Sequence, residues 1–384
     1  MSAEVYINRT SLFLPGESVD NDDIEAMLGE VAGRRSRSKN IVLRNNGIQA
    51  RHYVLDPETR RSRYSNARVT AEAVKGFVDS EFSLADIDCL SCGTSSPDQL
   101  MPSHGVMVHG ELREVGLCEV MAASGICMSG ITALKYGWLS VRTGEHRNVV
   151  ATGSEVASTF MQSKNFEPEL QARIKALEAR PEIAFDREFL RWMLSDGAGA
   201  VLMQDHLAGP GLSLRLDWIE SLSFAYRMET CMYAGAEKEP DGTLRGWREF
   251  SDLEAAVRSS VFTVKQDVKL LHENITRIAV EEGLSEVRRR RDLEAIDVDW
   301  FLPHMSSEYF RQPIAESLER IGFAIPGERW FTNLQTTGNI GSASWYAILD
   351  GLVDSGKLSS GERLLCMVPE SGRFSVAYLH LTVV

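Results

Sequence analysis

One cysteine lies among small residues in the stretch EVMAASGICMSGI, residues 119–131. The pattern that follows predicts a helix ending at Gly144, which puts Cys127 at the helix N-terminus. Unpaired N–H groups and the helix dipole favour a thiolate there, and the small neighbours leave room for an acyl group. A thiolate can accept an acyl group from a thioester, but free cysteine is also a common core residue. The stretch alone leaves both interpretations open.

Two further polar residues follow apolar segments. His304 ends the strand pattern DWFLPH, where a histidine faces the ligand crevice of an α/β sheet or simply the solvent. Asn339, in TTGNIGSAS, also fits an ordinary turn. The spacing from Cys127 to Gly144 is 17 residues, and that from Asn339 to Gly356 is also 17. Small residues open both helices and a Gly-Glu-led strand ending in Glu follows each, so we predict two related halves with Cys127 and Asn339 at equivalent helix N-termini.

Strand and helix patterns alternate along the chain, which favours an α/β layered fold. We divide the chain into residues 1–205, which carry the cysteine, and residues 206–384, which carry the histidine and the asparagine. Residues 160–194 are charged and contain two prolines, and they predict a helical insertion. Residues 252–283 predict one long helix.

The composition excludes several classes of protein. The chain has 384 residues, of which 43% are hydrophobic and 25% charged, and this suffices for a large core. Its net charge of -13 argues against nucleic acid as a partner. Glu4 and Arg9 interrupt the N-terminal segment, and no run approaches the ~20 apolar residues of a membrane helix, so we expect a cytoplasmic protein without membrane insertion. The motif CLSC at residues 89–92 has no second cysteine pair, so we expect a buried strand and no metal there.

Four segments together resemble the signatures of the β-ketoacyl-acyl-carrier-protein synthase III group: AASGICMSGITAL, SDGAGAVLM, FLPHMSS and TTGNIGSAS. The resemblance implies a thiolase-like duplicated five-layer α-β-α-β-α fold. It implies Cys127 as the acyl-accepting nucleophile, and His304 and Asn339 as the pair that stabilises enolate or oxyanion charge. The N–H groups of Cys127 and Gly372 would form the oxyanion hole. The resemblance also implies a homodimer that uses acyl carrier protein or coenzyme A thioesters and needs no metal or redox cofactor.

The N-terminal run from residue 4 to residue 56 resembles one branch of that group, the ketosynthase-cyclases of dialkylresorcinol and cyclohexanedione biosynthesis. This implies the joining of a β-ketoacyl thioester to an α,β-unsaturated acyl thioester to give a 2,5-disubstituted cyclohexane-1,3-dione. Ring closure requires an additional base, and Glu155 is the candidate, although a salt-bridged or interface glutamate also fits. Met101 lies where the family's dimer partner contributes a residue to the acyl pocket.

The chain also departs from the family pattern. The closing loop reads PESGRFSV, and Tyr309 stands where the family carries a basic carrier-docking residue. Arg311, Arg288 and Arg289 are the remaining candidates for docking an acidic carrier protein, although a basic run is more often a solvated face.

Three functions stay open on the sequence alone. The first is a condensing enzyme with cyclase activity. The second is a 3-oxoacyl-carrier-protein synthase III that performs a decarboxylative Claisen condensation, or an acyltransferase of the same fold. The third is a non-catalytic partner subunit, which normally lacks the nucleophile, so the presence of Cys127, His304 and Asn339 argues against it.

Overall fold

The structure is a computed structural model, and it describes residues 3–31, 33, 35–36, 39–167, 189–209 and 211–384. The strands within these residues are β1 (Tyr6–Phe13), β2 (Val19–Asp20), β3 (Ala50–Arg51), β4 (Cys89–Thr94), β5 (Glu119–Ser124), β6 (Asn148–Val156), β7 (Asp196–Gln204), β8 (Leu214–Ser223), β9 (Met232–Tyr233), β10 (Ala236–Lys238), β11 (Leu244–Gly246), β12 (Lys265–Gln266), β13 (Trp300–Pro303), β14 (Arg363–Glu370) and β15 (Ser375–Val383).

The α-helices within the same residues are α1 (Ile24–Leu28), α2 (Lys39–Asn46), α3 (Asn66–Lys75), α4 (His104–Glu111), α5 (Ser129–Thr143), α6 (Ser158–Met161), α7 (Leu253–Arg258), α8 (Val268–Thr276), α9 (Ser285–Arg291), α10 (Arg311–Arg320), α11 (Leu334–Thr337) and α12 (Ser344–Asp354). A π-helical segment, Arg277–Leu284, joins α8 to α9. No helix in the described part of the chain is long and apolar enough to cross a membrane.

One mixed sheet of nine strands forms the centre, in the order β13-β14-β15-β8-β1-β7-β6-β4-β5. The pairs β4–β5, β4–β6 and β13–β14 are parallel, and the others are antiparallel. Counted outward from the β1–β8 pair, β1, β7, β6 and β4 correspond to β8, β15, β14 and β13. The sheet therefore has two similarly ordered halves, and the predicted division at residues 205/206 falls in the connection between β7 and β8.

Helices cover the sheet on both faces and fill the space between its halves. Successive residues of β14 belong to two different apolar clusters. Leu364 and Cys366 pack in the cluster that includes α5 and α12, which we call the inner cluster. Leu365 and Met367 pack in the cluster that includes α3, which we call the outer cluster. Helices α3 and α4 pack on the outside of the first half, and the π-helical segment packs on the second. Burial on both faces explains the nearly continuous apolar runs of these strands. The predicted α/β layered architecture is confirmed.

The two halves approach each other closely at the inner layer. The Tyr346 hydroxyl in α12 donates a hydrogen bond to the Gly130 carbonyl in α5 at 2.8 Å. A Cβ on Gly153 in β6 would lie 2.2 Å from the Ser342 carbonyl oxygen, so this approach requires a glycine. The chain that leads into α12 is therefore held directly above the ends of the first-half strands.

The predicted long helix over residues 252–283 was wrong. The chain forms α7, turns, forms β12, and only then begins α8. Asp252 caps α7 through the Ala255 N–H, and Asp267 caps α8 through the Leu270 N–H. The second capping residue was a visible helix-start signal, and the continuing apolar pattern masked it. Of the predicted insertion at 160–194, residues 168–188 lie outside the described residues.

Candidate active site

A cavity of about 400 Å³ contains the predicted site residues. Cys127, Glu155, His304, Asn339 and Gly372 all line it, although they come from five separate segments of the chain. Cys127 precedes α5, Glu155 lies near the end of β6, and His304 directly follows β13. The structure thus brings together residues from both halves at one edge of the sheet.

Cys127 lies in a tight turn, two residues before the first residue of α5. The Ser129 N–H closes this turn by donating to the Ile126 carbonyl at 3.1 Å. Desolvation in the cavity wall, and then the carboxyl groups of Glu370 and Glu155, raise the pKa of the Cys127 thiol. The expectation of an easily ionised thiol was wrong, because desolvation opposes ionisation and two carboxyl groups also face the helix N-terminus. The free enzyme therefore holds a thiol that needs a base.

His304 provides a neutral imidazole in the cavity wall. The backbone N–H of His304 donates to the Met367 carbonyl at 2.8 Å, which fixes the residue at the end of β13. The side chain is buried, and this burial lowers the pKa of His304 to about 4. An uncharged imidazole of this kind can accept a proton from a thiol or donate a hydrogen bond to an oxyanion.

Asn339 is held by its backbone and oriented by its side chain. Its N–H donates to the Met193 carbonyl at 3.1 Å, and its carbonyl accepts from the Ser195 N–H at 2.9 Å. The side-chain Oδ1 accepts the Gly341 N–H at 3.0 Å, which leaves the amide hydrogens as donors for a ligand. A 3₁₀ turn, Gly341–Ala343, separates Asn339 from α12, so its position relative to the helix differs from that of Cys127. The predicted equivalence was therefore only approximate.

Glu155 is buried against the segment that follows Asn339. Its carboxyl accepts hydrogen bonds from the Ser95 and Ser96 hydroxyls at 2.6 and 2.7 Å, and from the Ser342 N–H at 3.2 Å. Burial raises the pKa of Glu155, although these hydrogen bonds oppose the shift. A cavity carboxyl with a raised pKa is a candidate for proton transfer to or from a substrate. Glu155 forms no ion pair with the other residues that the structure describes.

Gly372 lies in the turn between β14 and β15. Its carbonyl accepts the Cys231 N–H at 2.8 Å and the Met232 N–H at 3.3 Å. A Cβ at Gly372 would lie 2.9 Å from the Ile126 side chain, so the turn packs directly on the nucleophile segment. The roles of the Cys127 and Gly372 N–H groups in an oxyanion hole stay a prediction.

The opposite wall of the cavity was not foreseen from the sequence. We call the segment between β8 and α8, residues 224–267, the cap. It contributes mainly apolar residues to the wall, namely Thr230, Met232, Tyr233, Ala234, Leu244, Val264 and Gln266. Buried Lys265 stabilises the cap by donating to the carbonyls of Ala236 and Ser259 at 3.3 and 3.2 Å and by pairing with Glu237. The apolar residues within this otherwise charged segment were the sequence signal from which the cap could have been predicted.

Met101 does not line the cavity of its own chain. Met101 is 82% exposed, and the neighbouring Leu100 is 73% exposed. An intrachain role in the acyl pocket is therefore excluded, and only a contribution from a neighbouring copy remains open.

The candidate docking arginines are engaged with other groups. Arg311 pairs with Glu308 at 2.7 Å, and Arg289 pairs with Glu286 at 2.7 Å. Arg288 donates to the Ile321 carbonyl at 2.7 Å and also binds a carboxylate. These arginines do not form an unpaired basic patch, and their docking role stays a prediction.

The CLSC motif forms part of β4, as predicted, with both cysteines fully buried. Burial raises the pKa of Cys89 and of Cys92 to about 12, so both are ordinary core thiols. Within the part of the chain that the structure describes, no group of three or more His, Cys, Asp or Glu residues could hold a metal ion.

Comparison with known proteins supports this interpretation of the fold. Residues 289–375 match the family described as 3-oxoacyl-[acyl-carrier-protein (ACP)] synthase III C terminal. The chain is 24% identical over 379 residues to the β-ketoacyl-[acyl-carrier-protein] synthase III of Xanthomonas euvesicatoria pv. vesicatoria (strain 85-10), with 95% of each chain covered.

Two solved structures are similar over nearly the whole chain. AbyA1, a tetronic acid condensing enzyme, has a TM-score of 0.74 at 20% identity, with 98% of this chain and 99% of that chain covered. A variant of OleA from Xanthomonas campestris, with bound lauric acid and lauroyl-CoA, has a TM-score of 0.74 at 18% identity and covers 100% of both chains. The predicted thiolase-like α/β fold is confirmed.

Proposed function

We propose that this chain is a ketosynthase with cyclase activity. It joins a β-ketoacyl thioester to an α,β-unsaturated acyl thioester and forms a 2,5-disubstituted cyclohexane-1,3-dione. One observation carries the proposal: the desolvated carboxyl of Glu155 lines the same cavity as Cys127, His304 and Asn339. A single acyl transfer does not require this fourth group, whereas two successive carbanions do.

The first step loads the unsaturated chain on Cys127. Neutral His304 accepts the thiol proton while the sulfur attacks the thioester carbonyl. The donor thiolate leaves and takes up this proton, so no charge accumulates in the site. The N–H groups of Cys127 and Gly372 stabilise the negative oxygen of the tetrahedral intermediate.

The second step forms the first carbon–carbon bond. Glu155 removes a proton from the carbon between the ketone and the thioester of the β-ketoacyl chain. The resulting carbanion adds to the β-carbon of the chain on Cys127, and His304 and Asn339 donate hydrogen bonds to the enolate oxygen. The proton then returns from Glu155 to the enolate carbon.

The third step closes the ring. Glu155, which has returned its first proton, removes a proton from the carbon on the other side of the ketone, and this second carbanion attacks the thioester carbonyl on Cys127. This attack expels the Cys127 thiolate, and the proton held by Glu155 then returns to the Cys127 sulfur. This expulsion is why we assign the unsaturated chain to Cys127. The ring still carries the thioester of the β-ketoacyl chain. Hydrolysis by one water molecule releases the second thiol, and loss of CO₂ leaves the dione.

The apolar walls of the cavity fit two hydrocarbon chains. One wall comes from the first half and the other from the cap and the helices that follow it. The first comprises Ala157, Phe160, Leu190, Met193 and Leu194, and the second includes Leu271, Ile275, Ala279 and Ile314. These walls support two long acyl substrates.

We also propose that the active form is a homodimer that accepts acyl groups from a carrier protein. In the described residues β5 pairs only with β4, so its outer edge is unpaired. Exposed apolar residues, including Leu100, Met101 and Leu117, lie in the segments that follow β4 and precede β5. An apolar edge strand is usually covered by another chain. Met101 would then reach the acyl pocket of the second copy.

Ala122→Arg at the centre of the exposed edge should give a monomer by light scattering with size-exclusion chromatography. Met101→Trp should leave the dimer intact and shorten the longest acyl chain that is accepted. A wild-type monomer would refute the dimer. An unchanged chain-length limit in a Met101→Trp dimer would refute the role of Met101.

The test of the function supplies one β-ketoacyl and one enoyl carrier-protein thioester and identifies products by mass spectrometry. We expect the cyclic dione. A linear β-ketoacyl product with loss of CO₂ would indicate the simpler decarboxylative synthase. Acyl transfer without a joined carbon skeleton would indicate an acyltransferase, and either outcome would refute cyclisation.

A further inference from the structure

The turn that presents Cys127 is held by a carboxyl group from the other half of the chain. The Oε2 atom of Glu370 accepts the Ile126 N–H at 3.1 Å and the Met128 N–H at 3.0 Å. These two peptide groups lie on either side of Cys127. Glu370 is the last residue of β14 and is separated from them by more than 240 residues.

Packing reinforces these two hydrogen bonds. The side chain of Ile126 lies against Gly372, where a Cβ would come within 2.9 Å of it. A Cβ on Gly125 would lie 3.7 Å from Glu370 Oε2, so the carboxyl also sits beside the small residue before the turn. The end of β14 and the nucleophile turn therefore form one packed unit.

Charge is the second consequence of this contact. The N–H groups at a helix N-terminus normally stabilise a nearby anion, here the Cys127 thiolate. Glu370 occupies two of those groups with its own carboxyl. Burial raises the pKa of Glu370, and the hydrogen bonds from these two N–H groups oppose this shift. The titratable groups that face Cys127 are Glu370 from β14, Glu155 from β6 and His304 after β13, and Arg373 lies in the same cavity lining.

We infer that Glu370 is a positioning residue for Cys127: its carboxyl fixes the turn that carries the thiol and places an acidic group beside Cys127. The inference rests on the proposed role of Cys127 as the nucleophile. Together with desolvation, this contact explains why the position of Cys127 near the N-terminus of α5 does not by itself give a reactive thiolate. It also makes the loading step depend on the base His304.

The test measures the thiol without any thioester substrate. Iodoacetamide alkylation of Cys127 is followed against pH by intact mass and peptide mapping in three variants: Glu370→Gln, Glu370→Ala and Glu155→Gln. Glutamine keeps an acceptor oxygen and removes the charge, whereas alanine removes both. Glu155→Gln is the matched control, since it removes a nearby charge without touching the turn.

In Glu370→Gln we expect the alkylation midpoint to move to lower pH, because a like charge near the thiolate has been removed. Each pH unit of this shift makes alkylation roughly tenfold faster below the midpoint. Hydrogen–deuterium exchange at residues 126–128 should stay slow in both glutamine variants and become faster in Glu370→Ala. In thioester loading by the Glu370→Ala variant, kcat should fall by a larger factor than the factor by which KM changes.

An unchanged alkylation profile in Glu370→Gln would overturn the inference, and so would unchanged exchange in Glu370→Ala. If the alanine variant does not fold, the glutamine profile decides alone. Because alkylation requires no acyl substrate, this result stands even if the product test refutes cyclisation. Conversely, a cyclic product with an unchanged alkylation profile would refute only the role of Glu370.

Discussion

Gly341 connects Asn339 and Glu155, two of the polar groups that the proposed chemistry needs besides the nucleophile. Its N–H donates to Asn339 Oδ1, and its φ is 50°, in the left-handed region. A Cβ here would lie 2.9 Å from Glu155 Cγ and 3.0 Å from Glu155 Oε1. Gly341→Ala must therefore strain the backbone and displace the Glu155 side chain. Gly356 provides the matched control, because its φ is 65° and a Cβ on it would meet nothing within 4 Å.

The control separates backbone strain from displacement. A non-glycine residue in the left-handed region costs about 1 to 2 kcal/mol, so Gly356→Ala should lose about that much free energy of unfolding. Gly341→Ala should lose the same amount plus about 1.5 to 3 kcal/mol for a weakened hydrogen bond to the buried Glu155 carboxyl. Because Asn339 also loses its orientation, kcat/KM for condensation should fall about a hundredfold, a typical cost of one oxyanion donor.

Urea unfolding followed by tryptophan fluorescence measures the stability of both variants, and product formation measures their activity. We expect Gly356→Ala to keep kcat/KM within about twofold of the wild type, since strain remote from the cavity does not move a site residue. Equal losses of stability and activity in the two variants would refute the coupling of Asn339 to Glu155 through Gly341.

Three further outcomes are expected. Burial raises the pKa of Asp196 from 3.8 to about 7, so its contribution to stability is complete below about pH 4 and disappears as the pH rises through 7. Asp196→Asn should lose this part of the pH dependence in urea titrations, and an unchanged slope would contradict the assignment. Gly153→Ala should lose more than about 3 kcal/mol of unfolding free energy, because its Cβ would lie 2.2 Å from the Ser342 carbonyl. Gly209→Ala is the control, because a Cβ on Gly209 would meet nothing within 4 Å. Equal free energies of unfolding for the Gly153→Ala and Gly209→Ala variants would contradict the close packing of Gly153 on Ser342. Because the pKa of His304 is lowered to about 4, loading of Cys127 should lose its base only below about pH 5, and loss of loading near pH 6.5 would contradict a neutral buried imidazole.

Local patterns predicted the positions of the main site residues. The small residues before α5 and the polar ends of apolar strands mark where a chain can turn toward a cavity. Each pattern left a second interpretation open, and the resemblance of four segments to the synthase III group selected Cys127, His304 and Asn339, which are found in one cavity. The repeated spacing of 17 residues predicted equivalent positions for Cys127 and Asn339. The positions differ because a 3₁₀ turn separates Asn339 from α12.

Contacts between distant segments could not be predicted in the same way. The Glu370 carboxyl accepts hydrogen bonds from a turn that lies more than 240 residues earlier in the chain, and no local pattern reveals that approach. The cap was overlooked because its wall residues lie in short strands and turns, without helical or strand periodicity over a full window. The break before α8 was different, since Asp267 was a readable cap that the longer apolar pattern overrode.

Covalent attachment of an acyl group to Cys127 is the step on which the whole proposed mechanism depends. Intact-protein mass spectrometry after exposure to an enoyl carrier-protein thioester tests it most directly, with peptide mapping to locate the group. We expect the wild type to gain the mass of one acyl chain on Cys127 and Cys127→Ala to gain none. An unmodified wild type, or the same acyl group on Cys127→Ala, would contradict the mechanism.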